Sequence, residues 1–409
     1  MQYRTLGKTG VKVSVLGYGC MRLPQKGGRI DRERTEQQVL QAIDAGINYF
    51  DTAYVYHGGK SETVLGDILS KGLRDKVYIA DKLPPYLVHA RKDMDRIFTS
   101  QLERLKTDHI DFYLIHALND FASWEKLKAQ GILAFIAEKK ADGSIRHIGF
   151  SWHGMRNEFK KVVDDYPWDF CQIQYNYLDV NYQAGREGLR YAVKKGLGVI
   201  VMEPLRGGSL VGRLPKGAQI QMDKSEIKRS AAGWAFHWLW DQPDVSMVLS
   251  GMNEEGHIRE NVKLASESHS GQMTQKDAEI IGKVRDVFCG LMQVDCTGCS
   301  YCMPCPFGVD IPGAFSAWNT THLFKTMQPR IMYVLNTSGA TGSTPSDVSR
   351  CTACGRCVKL CPQHIPIPEK LTEAGKDLTM PVLKPLIWGA KKYFKFKGRK
   401  LPKKSDPED

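Results

Sequence analysis

Eight short apolar runs, each followed by a helical pattern, constrain this 409-residue chain more than any other feature. They lie at 15–19, 47–53, 77–83, 111–117, 145–151, 170–176, 198–205 and 245–251. Stretches such as VYIA and GVIVM are apolar without alternation, as suits strands buried on both faces of a parallel sheet. Helical patterns fall at 31–45, 60–70, 90–105, 123–141, 154–164, 183–195, 225–241 and 254–262, with Ser225 as N-cap and Pro243 as stop for the seventh. Eight such units predict an α/β fold, a closed (β/α)8 TIM barrel. An open doubly wound sheet is the structural alternative, but no Gly-x-Gly-x-x-Gly follows the first strand. The first fifteen residues alternate around Gly7 and Gly10 and read as a short hairpin.

Past residue 285 the periodicity stops and cysteine takes over. Eight of the eleven cysteines lie between Cys296 and Cys361, in the runs CTGCSYCMPCP and CTACGRCVKLCP. The second run has the bacterial ferredoxin spacing Cys-x2-Cys-x2-Cys-x3-Cys-Pro; the first is one residue shorter before its last cysteine. Where two such runs share two clusters, the fourth cysteine of each ligates the other cluster. That rule puts Cys296, Cys299, Cys302 and Cys361 around one [4Fe-4S] centre, and Cys351, Cys354, Cys357 and Cys305 around the second. Zinc is the alternative, since paired Cys-x2-Cys motifs also build zinc sites; the third close cysteine and the Cys-Pro, both occurring twice, favour iron–sulfur. Cys20 and Cys171 read as small buried residues, and Cys289 is surplus to both clusters. The expected division is a barrel over 1–285, a ferredoxin-like domain over 286–372 and a basic tail over 373–409.

The charge is uneven. Nine lysines and arginines between Lys384 and Lys404 face only Asp406, Glu408 and Asp409, so half of the net +12 sits at the end of the chain. The tail interleaves these cations with aromatics, and its uses range from a solvated end to docking an acidic redox carrier such as a ferredoxin or flavodoxin, or peripheral membrane contact. No nucleic-acid partner is expected. The opening MQYRTLGKTGVKVS has no apolar core of signal-peptide length and no run reaches 18 apolar residues, from which a cytoplasmic location is expected.

In a barrel of this kind the chemistry belongs at the C-terminal ends of the strands. Those ends carry Asp51 and Tyr56 after the second strand, Lys82 after the third and His116 after the fourth. Singly, each reads as a satisfied rim residue. Together they suit proton donation to a carbonyl that is accepting a hydride: Lys82 tunes the Tyr56 phenol, Asp51 holds Lys82, and His116 orients the carbonyl.

The motifs FDTAYVY, ADKL and FYLIH, in this order on consecutive strands, resemble the aldo-keto reductase superfamily over roughly residues 1–265. That resemblance implies an NAD(P)H-dependent carbonyl reductase with Tyr56 as acid/base, Lys82 and Asp51 as its tuning pair, and His116 against the substrate. It also implies cofactor contacts at Gly19, Met21 and Asp51, at Ser151 and Gln172 for the nicotinamide amide, and at Met202 beside the ring. Trp152 stands where many relatives have Asn, and His153 is read as replacing that contact. The loops MEPLRGGSL and SGMNEEGHIREN bring Pro204, Leu205, Gly207, Gly251, His257, Glu260 and Asn261 to the phosphate and adenine side. The barrel followed by cysteine runs resembles a bacterial iron–sulfur subgroup of that superfamily, with a mostly helical ferredoxin-like domain. Its function is read as NAD(P)H-dependent carbonyl–alcohol interconversion with two [4Fe-4S] clusters. The alternative is an iron–sulfur electron-transfer protein that uses the barrel as a scaffold.

Overall fold

The computed structural model describes residues 1–379 apart from 155, 297, 299, 300, 339–344 and 362. Cys299 and the basic stretch from Lys384 to Lys404 therefore lie outside the described residues. The chain divides into two compact units, one of Met1–Leu214 with Gln219–Lys283, the other of Pro215–Ala218 with the chain from Val284 onward.

The first unit begins with an antiparallel hairpin, β1 (Tyr3–Thr5) and β2 (Lys12–Ser14). Then come β3 (Leu16–Gly19), a second small hairpin of β4 (Gln25–Lys26) and β5 (Arg29–Ile30), α1 (Arg32–Asp44), β6 (Tyr49–Asp51) and α2 (Ser61–Leu69). The alternation continues with β7 (Tyr78–Leu83), α3 (Arg91–Leu105), β8 (Ile110–Leu118), α4 (Phe121–Ala129), α5 (Ile132–Ala141), β9 (Ile145–Trp152) and α6 (Arg156–Asp165). It goes on with β10 (Phe170–Gln174), α7 (Gly185–Lys194), β11 (Gly198–Met202), α8 (Ser209–Gly212), α9 (Lys216–Asp223), α10 (Ala231–Trp240), β12 (Met247–Ser250), α11 (Glu255–Glu267) and α12 (Gln275–Cys289), the first residues of α9 and the last residues of α12 being counted with the second unit.

Strands β3, β6, β7, β8, β9, β10, β11 and β12 form a closed, all-parallel barrel, with β12 pairing back onto β3 through Val248↔Leu16. All eight predicted strands are present. Strands β6, β10, β11 and β12 are shorter than runs 47–53, 170–176, 198–205 and 245–251 by two or more residues, the flanking residues of those runs lying in loops. Leu6 and Val13 of the N-terminal hairpin join Tyr49, Phe112, Phe170 and Met247 in one buried cluster, so the hairpin closes the barrel floor. Arg4 clasps the approach to the last barrel strand there, donating to the carbonyls of Gln242 (2.9 Å), Val245 (2.5 Å) and Trp240.

Two helix expectations need correction. The single helix over 123–141 is two helices, because Gly131 adopts φ 91° between them. Asp120, whose side chain accepts from Ser123 N–H at 2.7 Å, caps the first. The seventh helix starts at Ala231, capped by Ser230 Oγ accepting from Gly233 N–H at 2.9 Å, and not at Ser225.

The second unit contains α13 (Ile311–Phe324), α14 (Gln328–Thr337), α15 (Arg356–Leu360) and α16 (Ile367–Leu378). Its core is built from Val309, Phe315, Trp318, Tyr333, Ile367 and Leu371 among others. Pressed against that core are Cys296, Cys302 and Cys305 from the first run and Cys351, Cys357 and Cys361 from the second. Helix α16 continues past residue 372, with Ala374 and Leu378 buried in the same core.

Helices α2 and α3 meet at Gly66, where an added Cβ would lie 2.3 Å from Arg104 O and 2.6 Å from Leu105 C. Both atoms are backbone, so the helices must part to admit a methyl group. Gly66→Ala is expected to destabilise the barrel by about 1–3 kcal/mol, read as a lower urea midpoint; an unchanged midpoint would show that the two helices separate freely.

Candidate active site

The C-terminal ends of the barrel strands open into a cavity of about 570 Å³, within the range of small-molecule and cofactor sites. Its centre is a lysine with almost no exposed surface. Lys82 Nζ donates to Asp51 Oδ1 at 2.6 Å and to the Thr52 carbonyl at 2.7 Å, with the lysine and aspartate side chains only 1 and 4 % exposed. Burial pulls the Lys82 ammonium down, but Asp51 and Tyr56 outweigh it and hold the group above its ordinary value. At Asp51 burial wins over the pull of Lys82 and lifts the carboxyl above the usual range. Its second oxygen, Oδ2, has no partner among the described residues.

Sequence places this pair directly. Lys82 lies on β7 and Asp51 at the end of β6, two neighbouring parallel strands in register at Asp51↔Ala80. The backbone of Lys82 is gripped from behind: its N–H donates to Asp81 Oδ1 at 2.8 Å and its carbonyl accepts from Gln101 Nε2 at 3.0 Å. Gln101 is in turn fixed by the Tyr113 hydroxyl at 2.7 Å.

Tyr56 opens a 3-10 turn, Tyr56–Gly59, with the Lys82 ammonium 4.9 Å from its ring centre. Burial raises the Tyr56 phenol and Lys82 opposes it, burial being the larger. Lys82 thus tunes the phenol, as its position suggests, without overcoming burial, and the phenol keeps its proton. The His116 ring stands edge-on to Tyr56, 6.0 Å between centres. Burial, then Lys82, then His153 push its imidazole down to about 3, so it is neutral at ordinary pH. Its Nδ1 is buried without a partner among the described residues.

Every residue expected to touch a cofactor lines this cavity. Gly19 ends β3 and Met21 follows it, Ser151 and His153 come from the end of β9, and Gln172 from β10. Met202, Pro204, Leu205 and Gly207 come from the loop after β11, and Gly251, His257, Glu260 and Asn261 from β12 and α11. Trp152 turns away and packs against Phe150 and Phe159, leaving His153 to face the cavity. Burial takes the His153 imidazole down to about 4. Gln172 donates to Met202 Sδ at 3.7 Å while its Oε1 is unpartnered among the described residues. Glu260 accepts from Ser230 Oγ at 2.5 Å, and Asn261 donates to Ser250 Oγ at 3.2 Å. Orphaned polar atoms on Asp51, His116 and Gln172, with open space beside Gly208, fit a polar, elongated ligand.

The lining also holds Arg22, Glu203, Gly208, Val211, Gly212, Ala232, Leu249, Ser250 and Asn253. Arg22, Glu203, Ser250 and Asn253 lie at or just past strand ends, so the rule that found the tetrad could have found them. Val211 and Gly212 come from α8, a one-turn helix too short for a periodic signal.

Of the cluster cysteines, Cys299 lies outside the described residues. The other seven are free of disulfides. Among the described residues no three His, Cys, Asp or Glu side chains come close enough to hold a metal ion. The donor set, thiols alone from two runs on one core, has the chemistry an iron–sulfur cluster needs.

Removing one partner from the buried Lys82–Asp51 pair strands a charge. Lys82→Met is expected to cost about 3–5 kcal/mol of stability, and the double variant Lys82→Met/Asp51→Leu to recover most of it. Urea unfolding of the two variants checks this; a single variant as stable as the parent would mean that the pair is not desolvated.

Comparison with known proteins places this geometry. The Aldo/keto reductase family model matches residues 15–284, and the 4Fe-4S dicluster domain model matches residues 295–365. L-galactose dehydrogenase of Arabidopsis thaliana is 29% identical over 300 residues, spanning 68% of this chain and 92% of that protein. The NADH-specific methylglyoxal reductase of Escherichia coli is 26% identical over 309 residues, spanning 63% and 91%. Among solved structures, an aldo-keto reductase of Bacillus halodurans in its holo form superposes with a TM-score of 0.59 at 26% identity, covering 69% of this chain and 96% of that one. With a closed eight-stranded barrel and a family match over most of its length, the chain belongs to the aldo/keto reductase family, an NAD(P)-dependent oxidoreductase whose barrel is followed in sequence by a 4Fe-4S domain.

Proposed function

We propose that the protein interconverts a carbonyl compound, aldehyde or ketone, and its alcohol, with Tyr56 as proton donor and acceptor. The observation that carries this reading is the Lys82 ammonium, paired to Asp51 at 2.6 Å and 4.9 Å from the Tyr56 ring, in the cavity that His116 also lines. A reduced nicotinamide, when bound, supplies a hydride. The protein's own residues do the rest.

Tyr56, protonated at neutral pH, donates its proton to the carbonyl oxygen as negative charge develops there. Lys82 stabilises the phenolate that results, and Asp51 with the Thr52 carbonyl keeps the lysine charged and in place. His116, neutral beside a cation, donates a hydrogen bond to the same oxygen without adding charge. Ser151, His153 and Gln172 are assigned to the nicotinamide carboxamide, and Gly19, Met21 and Met202 to the ring's surroundings. Pro204, Leu205, Gly207, Gly251 and His257 are assigned to the phosphates, with Glu260 and Asn261 toward adenine.

For the second unit we propose two [4Fe-4S] clusters, Cys296, Cys299, Cys302 and Cys361 holding one and Cys351, Cys354, Cys357 and Cys305 the other. Six of these cysteines pack against one core, which supports a shared two-cluster arrangement. Single-electron centres on a chain with net charge +12 suit an acidic partner such as a ferredoxin or flavodoxin. A cytoplasmic location accords with this; among the described residues no helix is long and apolar enough to cross a membrane.

Tyr56→Phe is expected to lower kcat across a panel of aldehydes and ketones by at least about 100-fold while leaving the NAD(P)H Kd unchanged. Equal rates in the two proteins would sink the assignment and leave the barrel as a binding scaffold. Anaerobically purified protein should contain about eight irons per chain, and about four in a Cys354→Ala variant. Colourless protein holding zinc would overturn the cluster proposal.

A further inference from the structure

We propose that Ser151 is a positioning residue for His116: its hydroxyl pins the left-handed turn that presents the imidazole, besides facing the cofactor. This rests on the roles of His116 and the cavity given above.

Strands β8 and β9 are in register at Ile115↔Phe150 and again, after a shift, at Leu118↔Trp152. Between those pairs two residues of β8, His116 and Ala117, stand opposite one residue of β9, Ser151. An extra residue of this kind bends a strand and re-aims a side chain, and it recurs beside active sites. Here it re-aims His116, whose ring meets Tyr56 edge-on.

The bulge has an uncommon backbone. Ala117 has φ 52°, a left-handed conformation that its Cβ disfavours and that persists only where the surroundings dictate it. The surroundings are two hydrogen bonds. Ala117 N–H donates to Ser151 Oγ at 2.7 Å, and His153 N–H donates to the Leu118 carbonyl at 2.9 Å. Ser151 is itself only 1% exposed, so its hydroxyl is held in a fixed place by its surroundings. Without that acceptor, the Ala117 N–H loses its partner and the turn loses its reason to be left-handed.

The Ser151 hydroxyl proton has no acceptor among the described residues, which leaves it for a carboxamide oxygen in the cavity. Hydrogen bonds in series polarise one another. A ligand that takes the Ser151 proton therefore makes its oxygen a better acceptor for Ala117, and steadies His116 at the moment the cofactor site fills.

The test uses the full chain carrying Ser151→Ala. In ligand-free protein the Ala117 amide is expected to exchange its hydrogen at least about tenfold faster than in the parent. Ser151→Cys, with a weaker acceptor, should fall between the two, and serves if the alanine variant does not fold. In turnover, Ser151→Ala should lower kcat by about tenfold or more and raise the cofactor Kd. Adding Ala117→Gly, which removes the cost of the left-handed turn, should restore most of kcat and leave the weakened Kd. Unchanged Ala117 exchange, an intact kcat, or a kcat loss that Ala117→Gly leaves untouched would each overturn the proposal. The exchange measurement needs neither cofactor nor substrate, so its failure is distinct from failure of the carbonyl-reduction reading.

Discussion

A lysine ammonium shut away from water sets the terms for the mouth of this barrel. Lys82 cannot be charged in such a place unless Asp51 and the Thr52 carbonyl answer it, and both come from the neighbouring strand end. Holding the charge thus holds β6 against β7. The demand continues outward through the wall. Asp81 and Gln101 fix the Lys82 backbone, and behind Asp81 lies a second buried acid, Glu62, which accepts from Arg104 at 2.7 Å. Burial, then Glu62, raises Asp81 well above the usual carboxylate range, so it keeps a proton to higher pH than a free aspartate. One of the two acids thereby avoids placing another negative charge behind the lysine.

Strand order and the site were legible from sequence for the same physical reason. A parallel strand covered on both faces is mostly apolar, and polar residues toward its C-terminal end stand near the rim where loops converge. Asp51, Lys82 and His116 are read off that rule. What escaped depends on contacts remote in sequence or on single turns. The break at Gly131 and the cap at Ser230 are decided by one residue's dihedral or one side chain's reach. The direction of the Tyr56 shift depends on how deeply the phenol is buried, which no local pattern reports. The left-handed Ala117 could not have been found at all, since its cause, Ser151, lies on the next strand.

The cysteine unit divides differently between sequence and structure. Spacing points to iron–sulfur over zinc, because three close thiols and a Cys-Pro recur in both runs, and the 4Fe-4S domain match over residues 295–365 accords with that. Spacing says nothing of the scaffold. That is supplied by α13, α14 and α16, whose apolar faces bury Phe315, Trp318, Tyr333 and Leu371 and give both runs a common floor. Asp377 ties the three helices together, accepting from Trp318 Nε1 at 3.0 Å, from His322 at 2.5 Å and from Arg330. The three helices are thus joined by contacts of their own, besides the cysteines packed on their core.

The barrel floor has a consequence for how the chain is made. The hairpin that seals it and the strand that follows lie far in sequence from their partners, β12 and the carbonyls of Trp240, Gln242 and Val245. Until the ribosome has passed residue 250, β3 has one open edge, and Leu6 and Val13 wait for an incomplete cluster. Contacts of such sequence separation form slowly, and an unpaired strand edge invites other chains. A chain that stops short of β12 therefore leaves one edge of β3 unpaired and the floor cluster incomplete, the kind of exposed edge to which other chains add.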